Sequence, residues 1–115
     1  MNAQPPIPFP QDLRIAEQVW FDRRELGLIL SIYGRMVAAG EWRDYAISAL
    51  RDVAIFSVFR RAAETPLYRI EKRPKLRSRQ GIYAVVTGDG QVLRRGQELG
   101  ATLRVLETRL IRAVE

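Results

Sequence analysis

Tyr45-Ala46-Ile47-Ser48-Ala49-Leu50 and Val53-Ala54-Ile55-Phe56-Ser57-Val58-Phe59, separated only by Arg51-Asp52, decide the fold of this chain. From Trp42 onward the pattern has a period of two, rich in β-branched and aromatic residues, which is the signature of half-buried strands. The two runs predict a hairpin, although Arg51-Asp52 lacks the Gly or Asn that a tight turn prefers. Beyond a loop at 62–66, Leu67 to Lys72 alternates as a third strand, and Ile82 to Thr87 is rich in β-formers. Gly88-Asp89-Gly90 ahead of Gln91-Val92-Leu93-Arg94 is the strongest hairpin signal in the chain.

The flanks have a different period. Asp22-Arg23-Arg24-Glu25 has the spacing of a helix start, with Asp22 capping free amides, Glu25 reaching back and Phe21 stapling onto Leu26. Gly40 supplies the stop, so the spacing predicts a helix over 22–39. Leu26, Ile29, Leu30, Tyr33, Met36 and Val37 form its expected core face, with Leu28 and Ile32 on the side away from that stripe. At the other end, Leu99, Leu103, Leu106 and Leu110 repeat at helical spacing and predict a closing helix over 97–112. The expected class is α+β: an antiparallel β-meander of about five strands flanked by an N-terminal and a C-terminal helix, with one sheet face covered by helix. The 115 residues predict one domain over 13–115, since half of such a chain would bury too little core. Pro5, Pro6, Pro8 and Pro10 mark residues 1–12 as an extended, mobile tail. The Pro5-Pro6-Ile7-Pro8 run also has polyproline-ligand spacing, and Leu13 to Trp20 fits neither period.

Hydrophobic residues make up 47% and charged residues 28%, which excludes wholesale disorder and fibrous repeats. With no cysteine and no histidine, disulfides, thiolate nucleophiles, zinc clusters and imidazole bases are all excluded. Neither a signal peptide nor a transmembrane run is legible, so a cytoplasmic protein is expected, without membrane, metal or cofactor. No catalytic residue is proposed, and an enzyme is not expected.

Net charge is +6, and 17 of the 19 basic residues are arginine. Arg60, Arg61, Arg69, Lys72, Arg73, Lys75, Arg77 and Arg79 face only Glu64 and Glu71 in the stretch 60–79, so the surplus there equals that of the whole chain. Guanidinium suits phosphate, and a confined surplus is what a polyanion rewards through counterion release. Tyr68 and Tyr83 flank the basic loop as expected stacking platforms for unpaired bases. The plainer reading is a solvated charged face, with Arg69 and Glu71 pairing across strands. Arg94-Arg95 extends the basic surface or ends an exposed strand.

A second expectation rests on the first helix, which is apolar nearly all round. Gly27, Ser31, Gly34 and Ala38 form a seam of small residues, and with Leu28 and Ile32 they are expected to meet a protein partner or a second copy. The plainer reading buries this helix between the sheet and another helix. Glu41-Trp42-Arg43-Asp44-Tyr45 crowds carboxylates and aromatics into one corner, which reads as packing more readily than as an acid–base pair. Gly88-Asp89-Gly90 lacks the longer glycine fingerprint of a phosphate loop.

The strings Tyr33-Gly34-Arg35-Met36-Val37-Ala38-Ala39-Gly40-Glu41-Trp42-Arg43-Asp44-Tyr45-Ala46-Ile47, Phe56-Ser57-Val58-Phe59-Arg60-Arg61 and Pro66-Leu67-Tyr68-Arg69-Ile70-Glu71-Lys72 carry a resemblance. They resemble a small family of uncharacterised alphaproteobacterial proteins, a domain of unknown function, from about Trp20 to Glu107. The resemblance implies a bacterial cytoplasmic protein and brings no mechanism or site residue. The residues themselves therefore set the expectation: a protein-interaction or regulatory module, self-associating as a homodimer, with nucleic-acid (RNA or DNA) or other polyanion binding through 60–79 as the alternative.

Overall fold

The computed structural model describes residues 17–61 and 65–114. The expected tail over 1–12 and residues 62–64 of the expected loop lie outside the described residues, as does the side chain of Leu110. Among the described residues the elements are α1 (Arg23–Ala38), β1 (Asp44–Ala49), β2 (Ala54–Phe59), β3 (Tyr68–Lys72), β4 (Tyr83–Thr87), β5 (Val92–Gly96) and α2 (Leu99–Val114). The strands form one antiparallel sheet in chain order, so the architecture is an α+β meander between two helices.

Each connection has a local cause. Leu50 N–H bonds to the Val53 carbonyl at 2.9 Å, which closes the β1–β2 turn at Arg51-Asp52 and fixes the register Ala49↔Ala54. A 3-10 turn at Pro74–Leu76 leads back toward β4, and the Leu76 carbonyl accepts from Gly81 N–H at 2.9 Å. Gly81 sits at φ +114 against Gly96, whose backbone an added Cβ would approach to 2.8 Å, so glycine is required at this crossing.

Both helices lie on one face of the sheet. Ile29, Ile32 and Met36 of α1 and Leu99, Leu103 and Leu106 of α2 share a single buried cluster with Phe56, Val58, Ile70 and Val85. The other face carries Arg69, Glu71 and Arg95, as the register Arg69↔Ser57 and Ala84↔Arg95 requires.

The start of α1 is the expected capping box: Asp22 accepts from Glu25 N–H at 2.8 Å and Glu25 accepts from Asp22 N–H at 2.7 Å. Its rotation differs from the expected one. The buried stripe is Glu25, Ile29, Ile32 and Met36, whereas Leu30 and Val37 are about 40% exposed. The cause is Glu25, whose carboxylate accepts hydrogen bonds from the Tyr83 hydroxyl and, at 2.8 Å, from the Lys72 ammonium, holding its side of the helix inward. A periodicity read from apolar residues alone assigns Glu25 to solvent.

Candidate interaction surfaces

Among the described residues, acids from elsewhere in the chain pair with three of the eight basic residues of the stretch 60–79. Arg60 meets Glu41 at 3.5 Å, Lys72 meets Glu25 at 2.8 Å and Lys75 meets Asp52 at 2.9 Å. Lys75 holds the Asp52 carboxyl below its ordinary value by hydrogen bond and charge. Arg69 and Arg73 grip the two oxygens of Glu71, at 3.4 and 3.1 Å. Arg61 is exposed and also partnered. Arg77 and Arg79 alone of the expected patch are exposed with no carboxylate partner among the described residues.

The expected stacking platforms are placed elsewhere. Tyr68 and Tyr83 alternate with Arg69 and Glu71 in register, so they lie on the helix-covered face, opposite the Arg69–Glu71–Arg73 ladder. Tyr83 is buried, and its hydroxyl donates to Glu25; burial first, and then that bond, push its phenol well above the ordinary value. Tyr68 is half-buried beside Trp42, with the Arg109 guanidinium 5.6 Å above its ring. Closed in by α1, the Tyr83 ring cannot receive a base.

The expected partner-binding set also divides. Ile32 is 1% exposed and belongs to the chain's own core, which corrects its assignment to an outside contact. Leu28 is half-buried against the same cluster. On their side of α1, Arg24 and Arg35 reach Glu98 and Glu107 across the α1–α2 joint, so a neighbouring helix of the same chain covers them. Gly27, Ser31 and Gly34 are exposed, and an added Cβ at either glycine meets nothing within 4 Å.

An edge strand supplies the apolar surface that these residues do not. Five of the six β1 residues are exposed, the sixth is intermediate, and no strand covers its outer side among the described residues. Leu50 bonds with Val53, so in the alternating antiparallel ladder the even residues of β1 bond toward β2. The N–H and C=O groups of Tyr45, Ile47 and Ala49 therefore point outward. Tyr45 and Ile47 are 47% and 45% exposed on the helix-bearing face, where Tyr45 stacks on Phe56 at 4.8 Å and meets Tyr33 edge-on at 5.0 Å. Because Tyr33 meets Tyr45, the neighbouring Leu30 and Val37 of α1 lean toward this same edge.

Two further sequence candidates resolve as structure. In the corner 41–45, Trp42 is buried, the Arg43 carbonyl accepts from Tyr33 at 3.0 Å and Glu41 is held by Arg60. A cleft of about 380 Å³ lies there, lined among the described residues by Val37, Gly40, Trp42, Arg43 and Arg60, with no pair of carboxylates among them. Gly88 packs so tightly that an added Cβ would come to 2.0 Å from the Pro66 carbonyl oxygen, so its glycine serves the close approach of β4 to the start of β3.

Residues 19–103 match the model of a family described as a protein of unknown function, DUF2794. The chain belongs to that family. The match takes in α1, the whole sheet and the start of α2, and the DUF2794 description carries no activity. No curated protein and no solved structure matches the chain. Among the described residues no helix is long and apolar enough to cross a membrane, and no group of three or more acidic side chains is placed to hold a metal ion.

Proposed function

We propose that this DUF2794 chain is a non-catalytic protein-interaction module that self-associates through the β1 edge. The observation that carries the reading is an unguarded edge strand with an apolar face. Asp44-Tyr45-Ala46-Ile47-Ser48-Ala49 has no proline, no lysine or arginine and no register shift against β2, which are the devices that blunt exposed edges.

A second copy is the occupant that these residues suit. Antiparallel pairing about Ala46 sets Tyr45 opposite Ile47 of the other copy and Asp44 opposite Ser48, so an aromatic meets a β-branched residue and no like charges face each other. In that register the outward-pointing groups of Tyr45 and Ile47 become hydrogen-bonded pairs. The same two-fold arrangement brings Leu30 and Val37 of each α1 toward the joint, burying the apolar residues that α1 leaves exposed.

Light scattering across a concentration series, with hydrogen exchange on the same samples, tests the reading. A dimer is expected, with slow exchange at Tyr45 and Ile47. Ile47→Lys should give a folded monomer whose melting temperature no longer rises with concentration, since Ile47 is half-exposed in the single chain. A wild-type monomer at the highest soluble concentration, with those amides exchanging freely, would overturn it.

A further inference from the structure

A second surface has the opposite chemistry. Between β5 and α2 lies a cleft of about 420 Å³ that is lined, among the described residues, by Arg94, Arg104, Val105, Thr108 and Arg109. Three arginines line one open cleft, and none has a carboxylate within ion-pair distance among the described residues. The reason lies in the helix joint. Glu98 and Glu107 are engaged by Arg24 and Arg35 of α1, and Arg104 and Arg109 line the cleft together with Arg94 of β5.

Like charges held together in this way repel unless an anion lies between them. Arg109 is also held in place, its guanidinium lying 5.6 Å from the centre of the Tyr68 ring. We infer that this cleft binds a small molecule through its phosphoryl groups.

The ligand class follows from charge and shape. Three positive charges call for an anion of at least two negative charges, and the planar guanidinium fork matches phosphate oxygens two at a time. The arginines line a single cleft instead of extending along a track, which suits a compact mono- or diphosphate more than a nucleic-acid strand. A volume of about 420 Å³ accommodates a diphosphate with an attached sugar or base, and Val105 offers that part an apolar wall.

Calorimetric titration of the full chain with inorganic pyrophosphate and with ADP, each against sodium chloride of matched ionic strength, is the test. Saturable binding of either probe is expected; tighter binding of ADP would place the nucleoside in the cleft, and equal binding would limit recognition to the phosphoryl groups. Arg94→Gln and Arg104→Gln, both at exposed positions, should each weaken binding roughly tenfold or more, the loss expected for a charged hydrogen bond. Arg104→Lys should recover part of it. Melting temperature and oligomeric state should stay as in the wild type, which separates this site from the β1 edge. Binding no stronger than in matched salt, or binding indifferent to both Gln variants, would overturn the inference. So would binding of single-stranded oligonucleotides that pyrophosphate does not displace, since the occupant would then be a strand.

Discussion

Replacing Glu25 by Ala should be among the most destabilising single changes in this protein. The carboxylate is 4% exposed and serves three partners: the Asp22 N–H at 2.7 Å, the Lys72 ammonium at 2.8 Å and the Tyr83 hydroxyl. Removing it opens the capping box, leaves the Tyr83 hydroxyl buried without an acceptor and strands Lys72, itself only 15% exposed, without its counter-charge. Breaking one side of a buried ion pair costs about 3–5 kcal/mol, a range that already includes part of the lost hydrogen bonding. For a chain of this size that lowers the melting temperature by roughly 12–30 °C. Thermal and urea denaturation measure the change directly. The mechanism makes a sharper claim: in Glu25→Ala/Lys72→Met the stranded ammonium is gone, so the double variant should be more stable than the sum of the two single losses predicts. A loss below about 1 kcal/mol for Glu25→Ala, or simple additivity with Lys72→Met, would refute the view that Glu25 pins α1 to β3 and β4.

Three other outcomes follow from the same structure. The Tyr83 phenol is held neutral by burial and by Glu25, its folded value lying above the unfolded one, so its contribution is fully present below pH 10 and is lost as pH rises beyond it. Absorbance titration should show Tyr83→Phe parting from the wild type only above that point, and Tyr83→Phe should lose less stability on going alkaline. The Glu98 carboxyl is held below its ordinary value, first by the Ala101 N–H at 2.9 Å and also by Arg24, so its contribution is present above the unfolded value and is lost as pH falls through the folded one. Melting temperatures of wild type and Glu98→Gln should therefore differ at pH 7 and converge as the pH falls below the ordinary carboxylate range. Gly27→Ala and Gly34→Ala occupy helical positions with open space around the added Cβ, so each should stabilise the fold by about 0.5–1 kcal/mol in denaturant titration. Should either weaken self-association in light scattering, the small-residue seam would be shown to lie within the contact.

The strand order, both helices and the capping box were legible because each depends on near neighbours. Every strand pairs with the next in sequence, and Asp22 meets Glu25 three residues on. Charge was not legible in the same way. The surplus in 60–79 is a property of the chain, whereas ion pairs are a property of the fold: Glu25, Glu41 and Asp52 come from outside the stretch to neutralise Lys72, Arg60 and Lys75. Acids spent there and on the α1–α2 joint are unavailable elsewhere, so unpaired guanidinium groups emerge in a part of the chain whose formal sum is zero. Arg104 and Arg109 offered no local signal, because what brings them opposite Arg94 is the return of α2 along β5. The rotation of α1 was missed for the same reason in reverse: a carboxylate counts as polar along the sequence, but one supplied with Lys72 and Tyr83 is a core residue. Once Glu25 sets that rotation, Ile32 turns inward and Leu30 and Val37 turn toward β1, so the buried ion pair also determines which apolar side chains remain exposed beside the edge through which we propose self-association.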